Sequence, residues 1–426
     1  MIQIDDTLYD QAWFETNAAR MFEEAGLTGR TGGRYAVCFS ATADWLALFF
    51  AIRKAGASVL PIHPDTPLPA ARKLAIGAGC DLLFYNSLTA EILEGAHDSH
   101  PEGQLLQMSS GTTGAPKCVA RSWAEIDAEV ESYVAAFRQP DDMTPVVACP
   151  STHSYGLICG ILVAVRRGQT PVIVSTGNPK YLLAKLREIE RPLLYSSPAI
   201  IHTLARLLPE AEKLHAVMTS GTLLPDPWFA RIREKAEHLF QQYGCSEAGC
   251  IAINPEMTAA ADMGFVLPHL TAKAGSGDEN AAEITITNPQ GAEIHTRDLG
   301  YLRDDGMLVF VSRLDDMINV SGLNVYPKDV EDAVMAMPSV TDAVAFRKSD
   351  RFSGERVGLL FSASQPVAPL SLREWCNRNL ASHQLPMEIL QVDAIPRQAN
   401  GKISRRDVAM RHAAGEFSPQ AGGKTQ

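Results

Sequence analysis

Short apolar runs of strand length alternate with segments of helix length along most of this chain, and glycine or proline closes many of them. Residues 35–39 (Tyr-Ala-Val-Cys-Phe) read as a buried strand, and 45–55 as an apolar helix ending on Gly56. A strand at 58–62, prolines 61, 64, 67 and 69, a helix at 70–79 and a strand at 81–85 continue the alternation. It resumes with helix 123–137, strand 145–149, apolar helix 157–165, strand 171–174, helix 181–189, strand 193–196, helix 198–208, strand 216–221, helix 228–238 and strand 239–243. Such alternation predicts a mostly parallel sheet with helices on both faces. An earlier helix is predicted over 11–27, with Gly26 as its C-terminal stop. From 283 the pattern turns β-rich, at 283–287, 295–303 and 307–311, which predicts a small barrel or sandwich. Beyond Arg313, helices at 330–335 and 372–380 and strands at 343–346 and 357–361 predict a separate α+β unit of about a hundred residues. A chain of 426 residues is long for one core, so more than one domain is expected.

Charge and composition exclude several function classes. A net charge of -11 argues against a nucleic-acid surface and gives no reason to expect an anionic-membrane anchor. No apolar run approaches the roughly 18 residues of a membrane span. The start, Met-Ile-Gln-Ile-Asp-Asp, lacks the basic segment and apolar core of a secretory signal, so a cytoplasmic address is expected. The eight cysteines show no C-x-x-C pair and no Cys/His ligand spacing, and read as reduced, mostly buried small hydrophobes.

The chemistry concentrates at Met108 to Lys117, M-S-S-G-T-T-G-A-P-K. Gly111 and Gly114 allow backbone N–H groups to close on an anion. The hydroxyls of Ser109, Ser110, Thr112 and Thr113 add donors, and Lys117 adds a positive charge suited to phosphate. The stretch is not a Walker A loop, because Ala115 and Pro116 separate Gly114 from Lys117. By itself it also suits a polar turn between strands.

Four further stretches follow in order: Tyr243-Gly-Cys-Ser-Glu247; His295-Thr-Arg-Asp298-Leu-Gly300; Arg313 to Gly322; and Pro396-Arg-Gln-Ala-Asn-Gly401-Lys402-Ile-Ser-Arg405. Together the five resemble the adenylate-forming superfamily of acyl- and aryl-CoA synthetases, stand-alone aryl-acid ligases and adenylation domains. The resemblance covers nearly the whole chain. It implies an α/β fold with a large domain of parallel α/β subdomains plus a small β-barrel (1–314) and a mobile smaller α+β domain carrying the catalytic lysine (315–412), while composition predicts a disordered tail (413–426). It further implies ATP and Mg²⁺, with Ser109 to Lys117 on the β- and γ-phosphates, Tyr243 against adenine, Ser246 near the α-phosphate and Glu247 on the metal. Asp298 and Arg313 would hold the ribose, Asp315 would be the hinge, Lys402 would bridge substrate carboxylate and α-phosphate, and Gly322 would line a thiol tunnel. The implied acyl pocket is His153, Tyr155, Ser197, Gly221, Thr222, Gly244 and Cys245. His153 on its apolar stretch also reads as a hydrogen-bonded core residue.

The expected reaction is ATP-dependent activation of a carboxylic acid to an acyl-adenylate with release of pyrophosphate, then transfer to the pantetheine thiol of CoA. Transfer to a separate carrier protein is the alternative, and a degenerate nucleotide-binding regulator is the reading from another class. The segment 153–155 lacks an aspartate for an α-amino group, and the pocket candidates are mostly small or apolar. An aryl or short to medium acyl acid is therefore expected. Two departures from the pattern stand out: Arg297 occupies a position usually held by glycine, and Val311-Ser312 stand where a glycine often precedes Arg313.

Overall fold

The computed structural model describes residues 1–30, 32–93, 102–109, 117–175, 177–320, 322–350, 354–398 and 401–417. Three sheets organise it. A six-stranded sheet carries the parallel strands Arg34–Cys38, Ser58–Pro61 and Leu82–Tyr85, and ends in the antiparallel pair Gln104–Ser109 and Lys117–Ser122. A thirteen-stranded sheet carries the second parallel set, in which Thr144–Ala148, Pro192–Ser196, Leu214–Thr219 and Ala236–Cys245 lie side by side. The aromatic core between these sheets includes Trp45, Phe49, Tyr133, Tyr195 and Phe240, all 2% exposed or less. Aromatic side chains bury large apolar areas and dominate the energetics of such a layer.

The strand Ala236–Cys245 is the pivot of the large sheet. It runs parallel to Leu214–Thr219 on one side and antiparallel to Gly249–Asn254 on the other. In open α/β sheets ligands gather beyond the carboxyl ends of parallel strands, and Tyr243 to Glu247 stand at that end.

The β-rich stretch has its own core, with Ile251, Ile284, Ile286 and Leu308 fully buried. Its strands nevertheless continue the hydrogen bonding of the parallel set outward to Thr271–Lys273. Among the described residues they do not form a separate closed ring. A five-stranded sheet with its helices Pro327–Met335, Pro369–Asn379 and Arg405–Ala413 forms the small unit. Its longest pair, Val340–Asp350 with Gly354–Ala363, exceeds the sequence expectation because pairing persists from Val340 opposite Ala363 to Asp350 opposite Gly354.

Three local expectations are corrected. The helix expected over 157–165 is a π-helix, Tyr155–Leu162, followed by one α-turn. The helix expected to reach 238 stops at Lys235, and 236–238 already belong to the next strand. Pairing across the sheet decides this, with Ala236 opposite Leu214 and His238 opposite Ala216. The buried Lys235 ammonium donates to the carbonyls of Pro209 (2.9 Å) and Glu210 (2.6 Å). Residues 413–417, expected to begin a disordered tail, are ordered: Arg411 pairs with Glu416 at 2.7 Å and lies 5.2 Å from the Phe417 ring. The rest of that expectation, 418–426, lies outside the described residues.

Candidate active site

The turn bearing Ser246 and Glu247 sits on a buried ion pair. Arg121 and Glu129 are 5% and 1% exposed and meet at 2.7 Å, and Glu129 also accepts the Cys250 amide at 2.8 Å. A Cβ on Gly249, whose φ is +74°, would overlap both charged side chains. A Cβ on Gly244 would overlap the carbonyl of Gly249. Gly244, expected in the acyl pocket, is therefore bare because the two strands close tightly there. Ser246 is half-buried and Glu247 exposed. Cys245 is half-buried, and burial, helped by Glu247, pushes its thiol up to about 12.

Asp298 lies farther out in the same sheet, on the strand Glu293–Leu302, directly opposite Arg313. Its Oδ2 accepts the Tyr243 hydroxyl at 2.7 Å, and Arg313 Nη1 stands 3.6 Å from Oδ1. Burial raises the carboxyl's pKa, although Arg313 and the Tyr243 hydroxyl oppose the shift. Oδ1 is buried with no hydrogen-bond partner among the described residues. Leaving such an atom unsatisfied costs about 1–3 kcal/mol. A sugar hydroxyl donating here would remove that cost, so the residues present fit a nucleotide.

Lys402 reaches this place from the small unit. Gly401 carries φ +81°, and a Cβ there would lie 3.0 Å from Ser197 Cβ. A Cβ on Gly221 would lie 3.2 Å from Lys402 Cε. The turn is closed by Gly401 N donating to Gln398 O and Gln398 N to Lys402 O, both at 2.8 Å. Burial, then the charge of Arg313, pulls the Lys402 ammonium below its usual pKa, while Asp298 and Cys245 pull it up. Lys402, Asp298, Arg313 and Cys245 thus share one electrostatic neighbourhood, flanked by Ser197 and Gly221. Thr222 continues the Gly221 turn, half-buried.

His153 and Tyr155 enter the same neighbourhood differently. The Tyr155 hydroxyl donates to Met218 O at 2.6 Å, so it ties down the strand that leads to Gly221. The Tyr155 hydroxyl is therefore already engaged. His153 Nδ1 accepts the Tyr155 amide at 3.4 Å, and burial, then Lys402, lowers its pKa to about 4.

Other expected positions are placed as follows. Ser109 and Lys117 face each other across an antiparallel pair, while Ser110, Gly111, Thr112, Thr113 and Gly114 lie outside the described residues. Asp315 is held by Arg297 Nη2 at 2.8 Å, and Arg297 itself adopts φ +63°. Gly322 lies exposed between the paired strands Ile318–Val320 and Leu323–Val325, its amide donating to Asn319 Oδ1 at 2.9 Å.

Sequence reasoning missed the Arg121–Glu129 pair. A signal existed: Glu129 falls in the apolar stripe Ile126, Val130, Tyr133 of the helix Trp123–Ala136. An acid on a buried helical face calls for a buried cation. The contacts of His202, Trp228 and Arg397 were also missed, and they come from elements far apart in sequence.

A parallel-sheet unit with a buried carboxylate and an acidic turn at its strand ends, covered by a small unit that brings in a lysine, defines an adenylate-forming ligase. Residues 104–292 match the family model described as AMP-binding enzyme, and 329–402 match the AMP-binding enzyme C-terminal domain. A 3,4-dihydroxybenzoate–[aryl-carrier protein] ligase from Bacillus anthracis is 38% identical over 96% of this chain and 99% of its own length. Oxalate–CoA ligase from Arabidopsis thaliana is 23% identical over 93% of this chain and 91% of its own. The o-succinylbenzoate CoA synthetase of Bacillus subtilis, solved with its acyl-adenylate intermediate, shares the fold with a TM-score of 0.82 at 21% identity, over 96% of this chain and 94% of that one. The chain belongs to the AMP-binding enzyme family. It is an ATP-dependent, AMP-forming ligase that activates a carboxylic acid and transfers it to the thiol of CoA or of a carrier protein.

Proposed function

We propose that the protein activates an aromatic carboxylic acid, with 3,4-dihydroxybenzoate the first candidate, and passes the aryl group to the pantetheine thiol of a separate carrier protein. The observation that carries the reading is the near full-length similarity to a ligase of that name, 38% over 99% of its length. Half-buried Cys245, His153 and the bare Gly221 turn beside Lys402 agree with a pocket for a compact planar acid.

A carboxylate attacking a triphosphate meets like charge, so positioning and charge neutralisation do most of the work. Lys402 supplies a cation between the incoming carboxylate and the α-phosphate, and Ser246 stands beside it. Asp298 Oδ1 and Arg313 hold the ribose, while Tyr243 fixes Asp298 and offers its ring to the base. Ser109 to Lys117 hold the outer phosphates. Glu247 would hold Mg²⁺, which would supply further charge neutralisation. Residues 1–314 form the large domain and 315–412 a small one that turns about Asp315. The change of sheet between Arg313 and Ile318 supports that division. Gly322 then lines the thiol's approach. Eight free cysteines support a reducing, cytoplasmic setting.

Carboxylate-dependent ATP–pyrophosphate exchange over a panel of aromatic, aliphatic and amino acids tests the reading. We expect exchange with hydroxybenzoates, and a loss on the order of 10²- to 10³-fold in Lys402→Ala, the range for removing one preorganised charge from a reacting centre. Exchange confined to aliphatic or amino acids sinks the aryl assignment. Aryl transfer to CoA but not to a holo carrier protein sinks the carrier assignment.

A further inference from the structure

Trp228, on the helix Asp226–Lys235, is 6% exposed and belongs to neither the nucleotide nor the acyl site. The His202 ring stacks on it at 4.5 Å, with planes 13° apart. Arg397 of the small unit places its guanidinium 5.2 Å from the same indole. The indole N–H also crosses between units, donating to Thr341 O at 3.4 Å. Arg397 does two things at once. Its Nη2 pairs with Asp342 at 2.6 Å, anchoring it in the small unit, and its Nη1 donates to Gly401 O at 3.2 Å. That carbonyl belongs to the peptide bond leading into Lys402, so Arg397 connects the indole to the lysine turn through one hydrogen bond. Burial, then Arg206, Arg231 and Arg397, lowers the His202 pKa to about 4. At neutral pH the partner stacked on Trp228 is therefore an uncharged ring, and among the described residues the cation over the indole comes from the small unit.

We infer that Trp228 and Arg397 are positioning residues that seat the lysine turn on the large unit for adenylate formation. The inference rests on Lys402 acting in that step, as proposed above. A guanidinium over an indole favours one orientation of the small unit. The Gly401 carbonyl bond converts that orientation into the placement of Lys402. A small domain that turns about Asp315 between the half-reactions, as proposed above, releases this clamp, so the clamp serves the first half-reaction alone.

The test compares the half-reactions in Arg397→Gln, Trp228→Leu and the double variant, with Arg397→Lys and Trp228→Phe as conservative controls. Wild-type-like melting temperatures are required before rates are compared. Pyrophosphate exchange with 3,4-dihydroxybenzoate should fall about tenfold in each single variant, the scale of a desolvated cation–π contact. The double variant should be no worse than either single one, because both remove the same contact. Aryl transfer to pantetheine from preformed 3,4-dihydroxybenzoyl-adenylate should stay within about twofold on the same reasoning. The conservative variants should recover part of the exchange. Unchanged exchange, equal losses in both half-reactions, or additive losses in the double variant overturn the inference. If the wild-type enzyme exchanges with no aryl acid, the functional reading fails and amide hydrogen exchange decides the clamp. Faster exchange at Gln398 and Gly401 in Trp228→Leu supports it, and unchanged exchange overturns it.

Discussion

Two turns meet at the candidate site, and they are held by different means. The turn after Tyr243 is bolted to the large unit: sheet pairing flanks it, and the Arg121–Glu129 pair lies beneath Gly249. The turn before Lys402 is closed by two local backbone bonds and reaches its position through side-chain contacts between units. Among them are Arg397 on Trp228, the Trp228 N–H on Thr341 O, Gly401 beside Ser197, and Lys328 with Asp226 at 3.2 Å. A buried ion pair is costly to break, whereas each of these contacts amounts to about 1–2 kcal/mol. The contrast supports the proposal that nucleotide binds a rigid platform and that Lys402 is brought in on a part that leaves it.

The largest effect should come from breaking the bolt. Glu129→Leu leaves Arg121 buried without its partner and should cost about 3–5 kcal/mol in denaturant unfolding. The double variant Arg121→Met/Glu129→Leu should recover most of that. A single variant as stable as wild type would remove the distinction between the two turns. Next, Tyr243→Phe removes the hydrogen bond to the Asp298 carboxylate while keeping the ring. Such bonds are worth about 1.5–3 kcal/mol, so the KM for ATP should rise roughly tenfold or more with the fold unchanged. An unaltered KM would detach Tyr243 from the nucleotide site.

A pH series sharpens the comparison further. His153 and His202 both drop from the usual 6.5 to about 4, burial being the first cause in each. Unfolding lets each imidazole take up a proton, so the stability they contribute is full above pH 6.5 and is lost as pH falls toward 4. His202→Gln should make that acid limb of the melting curve shallower. An unchanged limb would exclude His202 from it. The smallest effect is expected at the Arg297–Asp315 contact. Arg297→Gly relieves a left-handed residue, costing about 1–2 kcal/mol in a non-glycine, and loses an exposed ion pair worth at most about 1 kcal/mol. With the extra backbone entropy of glycine costing about 0.5–1 kcal/mol, net stabilisation below about 1 kcal/mol should appear in equilibrium unfolding. Clear destabilisation would show that the Arg297–Asp315 contact outweighs the strain.

Much of this molecule was legible before folding was considered. Apolar runs such as 35–39 and 193–196 became strands within a residue or two, because a strand covered on both faces needs an unbroken apolar sequence. The ordered motifs brought Tyr243, Asp298, Arg313 and Lys402 into one neighbourhood, because each motif couples a turn to its functional side chain. The helix limit at Lys235 was not legible, since local periodicity cannot register pairing with Leu214–Thr219. Nor was the π-helix at Tyr155–Leu162, whose sequence is apolar in any helical form.

The sequence alone determined the class of fold, the reaction chemistry and the identities of the charged groups, because those depend on side-chain type and local order. Tertiary structure decided which oxygen of Asp298 remains open, which hydroxyl is already engaged and which contacts seat Lys402. Those outcomes depend on distances between segments as far apart as Trp228 and Arg397, and no local pattern carries such distances.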